Sequence, residues 1–295
     1  MAIQGRLLPA LCAVLLFASR AHAAVQGVFA HYMVGGMSSI DQALADVTQA
    51  KSLGLDAFAL NIQQPDADWT RSSLSFLFNA ASTVGFKLFF SMDTATIPSP
   101  SACRALFSQY ASHPAYYQFS SRPFLSTFRG GADKLFPHEW ATFSPKPYFV
   151  PAFDDHPSLQ GGVYPPTIFD AFPHLDGVMA WETAWPFPNN TNFGPSKHHP
   201  AWGNWFRPGG LNFAEGFLRA LEVQPDFVEL LTWNDAGEGH YFGNVWWEAM
   251  NGWEMRAVVE AWEDDGEAKG AMYVTNNIGD LGGICNYNYQ VVEIV

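Results

Sequence analysis

The sequence predicts an α/β fold, specifically a (β/α)8 barrel whose repeat is incomplete around the seventh strand. Three observations predict it. Short, nearly continuous apolar strands recur with helical segments between them, which is the pattern of a parallel sheet covered on its faces. Polar, aromatic and acidic residues collect where those strands end, as they do at the C-terminal mouth of a barrel. No glycine-rich phosphate loop opens an early helix, which argues against an open dinucleotide-binding sheet.

Each element has its own signal. Val28 to Met33 is the first strand, ending in His31, Tyr32 and then Gly35-Gly36. Ile40, Leu44, Val47 and Ala50 follow at helical spacing, with Ser39 as cap and Gly54 as stop. Asp56 to Ile62 is the second strand and carries Asn61. Leu74, Leu77, Phe78, Ala81 and Val84 mark the second helix, ended by Gly85. Phe86 to Ser91 is the third strand, running into Met92 and Asp93. Ala102, Leu106 and Tyr110 mark a short third helix. Pro123 to Phe128, Pro147 to Phe153 and Gly177 to Trp181 are the next strands. The fifth runs into Asp154 and Asp155, the sixth into Glu182. Phe213, Phe217, Leu218 and Leu221 lie on one helical face before a last strand, Phe227 to Leu231. Trp253, Ala257, Val258 and Ala261 do the same after it. Between Trp181 and Phe227 a helix is evident but the expected strand is not. Pro186 to Trp202 is dominated by Pro, Asn, Gly and His, so seven strands stand out where a barrel needs eight.

Residues 1–23 read as a secretory leader. Arg6 precedes an apolar run from Leu7 to Ala18, and Ala21-His22-Ala23 is a cleavage site. The run is too short to span a membrane. The expected organisation is therefore a leader at 1–23, a barrel at 24–262 and a C-terminal tail or small β unit at 263–295. Two of the cysteines, Cys103 and Cys285, follow the leader. One disulfide is compatible with an oxidising compartment, and so are two free thiols. Asn189-Asn190-Thr191 is a glycosylation sequon, placing Asn189 on an exposed loop. Net charge is −13 for the whole chain and more negative still without the leader's two arginines. That argues against nucleic acid and an anionic membrane as partners. A monomeric extracellular or cell-wall protein with a neutral substrate fits better. The 11 Trp and 25 Phe fill a core and leave rings over for sugar faces.

The chemistry concentrates in Phe227 to Tyr241, FVELLTWNDAGEGHY. An apolar strand breaks into Trp233, Asn234, Asp235, Ala236, Gly237, Glu238, Gly239 and His240. Asp235 and Glu238 place two carboxylates at a strand's C-terminal end. Inverting glycoside hydrolysis needs such a pair about 6.5–9.5 Å apart, one to protonate the leaving oxygen and one to activate water. A solvated Asp/Asn/Gly loop is the competing reading. Asp93 and Glu182 are further acidic candidates for hydroxyl binding. His31 and Tyr32 are either ligand contacts or a satisfied half-buried pair. Trp181, Trp185 and Trp233 supply a sugar platform or fill the core, and Asn61, Asn234 and His240 complete the candidate substrate contacts. Lys197-His198-His199 lacks a spaced third metal ligand, and no G-x-S-x-G elbow is present.

Six stretches in order carry a family likeness: VFAHYMVG from Val28, DAFALNI from Asp56, FKLFFSMD from Phe86, PFLSTFRG from Pro123, DGVMAWETAWP from Asp176 and PDFVELLTWNDAGEGHY from Pro225. Together they resemble glycoside hydrolase family 71, the fungal α-1,3-glucanases or mutanases. The resemblance implies a barrel that hydrolyses α-1,3-glucan with inversion and without a metal or organic cofactor. The family's W-N-D-x-G-E motif falls on Trp233, Asn234, Asp235, Gly237 and Glu238, which implies Glu238 as acid and Asp235 as base. The order also follows a looser likeness to endomannosidases, whose W-N-E-W-x-E has the same spacing. The sequence departs from the family at Ala236 and Gly239, where tyrosine and serine are usual, between Pro186 and Asn204, where a segment with S-P-W-F is missing, and after Trp262. A catalytically impaired carbohydrate-binding paralogue of the same fold is the alternative these departures raise.

Overall fold

In the computed structural model, residues 25–130, 136–153, 164–181, 212–235, 241–246 and 290–294 are described. The parallel strands are β1 (Gly27–Met33), β2 (Ala57–Ile62), β3 (Lys87–Asp93), β5 (Arg122–Phe128), β6 (Tyr148–Pro151) and β7 (Phe227–Leu231). They run in the spatial order β6-β5-β3-β2-β1-β7. The last strand thus lies beside the first, as a barrel requires. Met179 and Asp176 donate to Pro151 and Phe149 carbonyls, at 2.9 Å each, so the predicted sixth strand follows β6 through these bonds. Among the described residues hydrogen bonds do not close the ring. The interval expected to hold a seventh strand lies outside them, as does the leader.

A short strand β4 (Gln118–Phe119) folds back on β5 through Ser120 and Ser121, both at positive φ. The sequence reading missed it, because two serines are a weak turn signal compared with Asn-Gly. Gln290–Ile294, read from the sequence as part of a terminal unit or tail, forms β8 and pairs antiparallel with β7.

The first two helices sit where their periodicity placed them, and the one read from Trp253 to Ala261 lies outside the described residues. Helix α1 (Ile40–Ser52) begins at Ser39, whose hydroxyl accepts from the Gln42 N–H at 3.3 Å. Helix α2 (Asp68–Val84) stops at Gly85, whose φ of +72° only glycine adopts without strain. The inner face of α1 holds a surprise for the apolar pattern, since Gln42 and Asp46 are buried beside Ala43, Val47 and Ala50.

Side chains alternate across the strands, and the interior is layered. At the N-terminal end of the barrel Phe29, Phe89, Phe124, Tyr148 and Phe227 form an aromatic plug with Tyr117 and Phe119, their ring centroids about 5–6 Å apart. Arg122 closes this end with a two-pronged ion pair to Asp176 while lying over the Tyr148 ring. One step toward the C-terminal end, the same alternation brings His31, Glu229, Ser91 and Ser126 inward. Apolar packing below and polar groups above orient the barrel, and the polar end carries the site.

Candidate active site

Glu229 is the central residue at the polar end, and the sequence reading passed over it inside FVELL. It shares a face with Phe227 and Leu231 and is fully buried. Its Oε1 lies 2.8 Å from His31 Nδ1, which is equally buried. His31 Nε2 lies 3.1 Å from Asn61 Nδ2. The assigned amide orientation makes Asn61 the donor and His31 Nε2 the acceptor, so that Nδ1–H donates to Glu229. Asp93 ends β3 next to Asn61, accepting from the Ala95 N–H at 3.0 Å. Burial pushes the Asp93 carboxyl above its ordinary range, against the lowering influence of the Ala95 N–H, His31, Asn61 and Arg129. Trp181 stands edge-on to His31 at 4.8 Å and packs on Phe128 at 4.7 Å. His31, Asn61, Asp93 and Trp181 therefore meet, as the sequence suggested, and Glu229 joins them. The missed signal was a lone carboxylate in phase with buried apolar neighbours, which is tolerable only with a partner.

Two expected contacts turn away from the mouth. Tyr32 is next to His31 in a strand, so it faces the helices, where its hydroxyl donates to Asp46 at 2.7 Å. Trp233 is wholly buried, packed on Phe58 and Phe242 at 5.0 and 5.4 Å. It fills the core behind the sheet and is no sugar platform. Asn234 is also committed: it accepts from the Met33 N–H at 2.8 Å and donates to the Met33 carbonyl at 3.0 Å. This side chain imitates a strand and pins the chain to the end of β1. It therefore positions the neighbouring Asp235, rather than binding substrate as expected.

Asp235 follows at the mouth, partly exposed, its N–H bonded to Thr232 Oγ1 at 2.9 Å. The chain then returns to where it left. Phe242 donates to the Thr232 carbonyl at 3.1 Å and Gly243 to the Trp233 carbonyl at 2.7 Å. The excursion carrying Asp235 thus has a hydrogen-bonded stem. Glu238 and His240 within it, and Glu182, Trp185, Asp154 and the sequon Asn189, lie outside the described residues. Cys103 is a free, buried thiol pushed up to about 12 by burial, and Cys285 is outside the described residues.

The stem makes a prediction. A Cβ at Gly243 would overlap the indole of Trp233, which cannot retreat from Phe58 and Phe242. Gly243→Ala is expected to destabilise the fold by about 1–3 kcal/mol through overpacking. Urea unfolding checks it; a variant as stable as the parent would show that the stem has room to give.

An α/β barrel with carboxylates gathered at the C-terminal ends of its strands is the architecture on which barrel enzymes build their sites. Comparison with known proteins gives the family. The model of glycosyl hydrolase family 71 matches residues 24–201 and 196–278, and the chain belongs to that family. The two matched stretches meet where the strand–helix rhythm breaks. The chain is 30% identical over 279 residues to a mutanase of Penicillium rubens, covering 82% of this chain and 59% of that protein. It is 28% identical to a glucan endo-1,3-alpha-glucosidase of Schizosaccharomyces pombe, covering 74% and 58%. An ascus wall endo-1,3-alpha-glucanase of the same yeast is 24% identical, covering 74% and 58%. The chain thus spans somewhat under 60% of the length of these relatives. Among solved structures it resembles the GH99 endo-alpha-mannosidase of Bacteroides thetaiotaomicron, with a TM-score of 0.53 at 13% identity over 85% of this chain and all of that one. At that identity the likeness shows the shared barrel fold.

Proposed function

We propose that this protein hydrolyses the α-1,3-glucosidic bonds of α-1,3-glucan, outside the cell or in the wall, by an inverting acid/base mechanism. The observation that carries the reading is the placement of Asp235. It stands just past the C-terminal end of β7, the strand that carries Glu229, in a chain whose family relatives are named for this activity. The wall assignment draws on the ascus wall relative. The leader at 1–23, a catalytic barrel at 24–262 and a C-terminal tail or small β unit at 263–295 belong to the same proposal.

In this reading Glu238 protonates the glycosidic oxygen as its bond to C1 breaks. Asp235 takes a proton from the water that attacks C1 from the opposite face. Both protons are accounted for, and neither a metal nor an organic cofactor enters. Asp93, with its raised carboxyl, and Asn61 stand where they can engage sugar hydroxyls, and the edge of Trp181 closes one side of the mouth. A monomer is sufficient for this chemistry.

The test is product analysis. Purified protein incubated with insoluble α-1,3-glucan is expected to release reducing sugar whose first-formed anomer is β by proton NMR. A first-formed α anomer would overturn inversion, and an absence of reducing ends would overturn hydrolysis. Ala236 and Gly239, where the family resemblance places tyrosine and serine, favour a second reading as a binding paralogue. Retention on α-1,3-glucan without product would select it.

A further inference from the structure

A buried carboxylate remains that the proposed chemistry does not use. Asp46 lies on α1, is fully buried, and faces the outer side of the sheet rather than the mouth. Three donors from two other parts of the chain converge on it. The Tyr32 hydroxyl of β1 donates to Oδ2 at 2.7 Å, Asn244 Nδ2 to Oδ1 at 2.6 Å and Trp246 Nε1 to Oδ2 at 3.1 Å. Asn244 and Trp246 directly follow the stem formed by Thr232, Trp233, Phe242 and Gly243.

We propose that Asp46 is a positioning residue for the acid/base machinery, tying the return limb of the Asp235-bearing excursion to α1 and β1. The outgoing limb is also held by Asn234 on Met33 and by Trp233 N–H on the His31 carbonyl at 2.6 Å. With Asp46 in place both limbs are fixed to β1, one at its mouth end and one through Tyr32. Without it the return limb loses its side-chain ties to α1 and β1 and keeps the two backbone bonds of the stem and the packing of Phe242 on Trp233. A carboxylate suits this post better than an amide, because it accepts from every neighbour and offers no donor that needs a partner. It also explains a costly choice, since charge-assisted bonds from three donors are what make a buried carboxylate tolerable.

The positioning role has a pH signature. Burial pushes the Asp46 carboxyl up to about 6, opposed by the donors Asn244, Tyr32, Trp246 and Trp233. Tyr32 is the titratable group facing it from β1; α1 and the return limb present no charged side chain to it among the described residues. Ionised, Asp46 serves all three donors. Protonated, whichever oxygen takes the proton becomes a donor itself facing a donor, and the carboxyl's bonds to its neighbours lose their charge assistance.

The proposal rests on the hydrolytic reading, so the experiment has one readout that needs no turnover. Asp46→Asn and Trp246→Phe are compared with the parent by melting, by hydrogen exchange of residues 232–246, and by kcat and KM on soluble α-1,3-gluco-oligosaccharides. Asp46→Asn is expected to melt cooperatively and to exchange about tenfold faster in 232–246 than the parent, with the rest of the barrel unchanged. Its kcat should fall about 10- to 100-fold with KM little altered, as a misplaced catalytic group requires. The acid limb of its pH profile should lack an ionisation near 6 that the parent shows. Trp246→Phe removes the indole N–H together with part of a buried ring and should move both readouts the same way by less, and it carries the test if Asp46→Asn does not fold. The double variant should be no worse than Asp46→Asn, because both changes cut one tether. Unchanged exchange and kcat in a folded Asp46→Asn, or faster exchange spread evenly over the barrel, would overturn the proposal. If the parent itself releases no sugar while exchange in Asp46→Asn rises only in 232–246, hydrolysis falls and the anchoring stands.

Discussion

Glu238→Gln and Asp235→Asn are each expected to lower kcat on α-1,3-glucan by about 10²–10⁴-fold, the range that a positioned acid or base supplies. Both changes keep the shape of the side chain and remove its ability to trade a proton. The two losses should differ with the leaving group. On α-glucosyl fluoride, whose fluoride departs without needing a full proton, Glu238→Gln should lose far less than on the polymer. Asp235→Asn should lose about as much on both, because water must still be activated. Steady-state kinetics on the two substrates would read this directly. Equal losses on the fluoride for both variants would reverse or dissolve the assignment, and near-parental activity of either on insoluble glucan would remove that residue from the mechanism. Asn234 is the wrong residue for such a test, since its amide holds the end of β1 and its loss would displace the neighbouring Asp235.

His31→Leu is expected to destabilise the fold by about 1–3 kcal/mol, because it leaves a buried carboxyl group without its hydrogen-bond partner. His31 and Glu229 are 1% and 0% exposed, and Glu229 Oε2 has no hydrogen-bond partner among the described residues. Removing the imidazole leaves the Glu229 carboxylate with neither oxygen satisfied in the middle of the barrel. The double variant His31→Leu, Glu229→Leu should regain most of that stability, since matched apolar side chains replace a buried hydrogen-bonded pair at little cost. It should also be inactive, because Asn61 and Trp181 lose the ring they pack against and bond to. Equilibrium urea unfolding of the parent, the single and the double variant checks the first two statements. A single variant as stable as the parent, or a double variant no better than the single, would show that the pair does not bear on the fold. Glu229→Gln separates the roles, keeping volume and an acceptor for His31 while removing the carboxyl group.

Much of the architecture could be read along the chain because it depends on local pattern. The strand–helix alternation, the Ser39 cap, the Gly85 stop and the apolar faces of α1 and α2 are properties of neighbouring residues, and each appears in the structure where it was expected. The mouth was legible for the same reason, since residues at strand ends share one end of a parallel sheet. His31, Asn61, Asp93 and Trp181 meet there. The misreadings share a cause too. Tyr32 and Trp233 were placed at the mouth by their position along the chain, while the side of the sheet each faces depends on the phase of the strand and on what packs behind it. Simple alternation separates Tyr32 from His31, but the burial of Trp233 against Phe58 joins elements far apart in sequence.

The sequence by itself determined the barrel class, the family likeness and the Asp235–Glu238 motif, because periodicity, turn chemistry and a spaced pair of carboxylates are all local. Only the tertiary structure decided that Glu229 pairs with His31, that Asn234 is a strap rather than a sugar contact, and that Asp46 ties the far limb of the Asp235 excursion to α1. Those partners lie about 200 residues apart along the chain. A buried polar group must find a partner wherever the fold supplies one, and nothing in the sequence near Glu229 or Asp46 says which residue that will be.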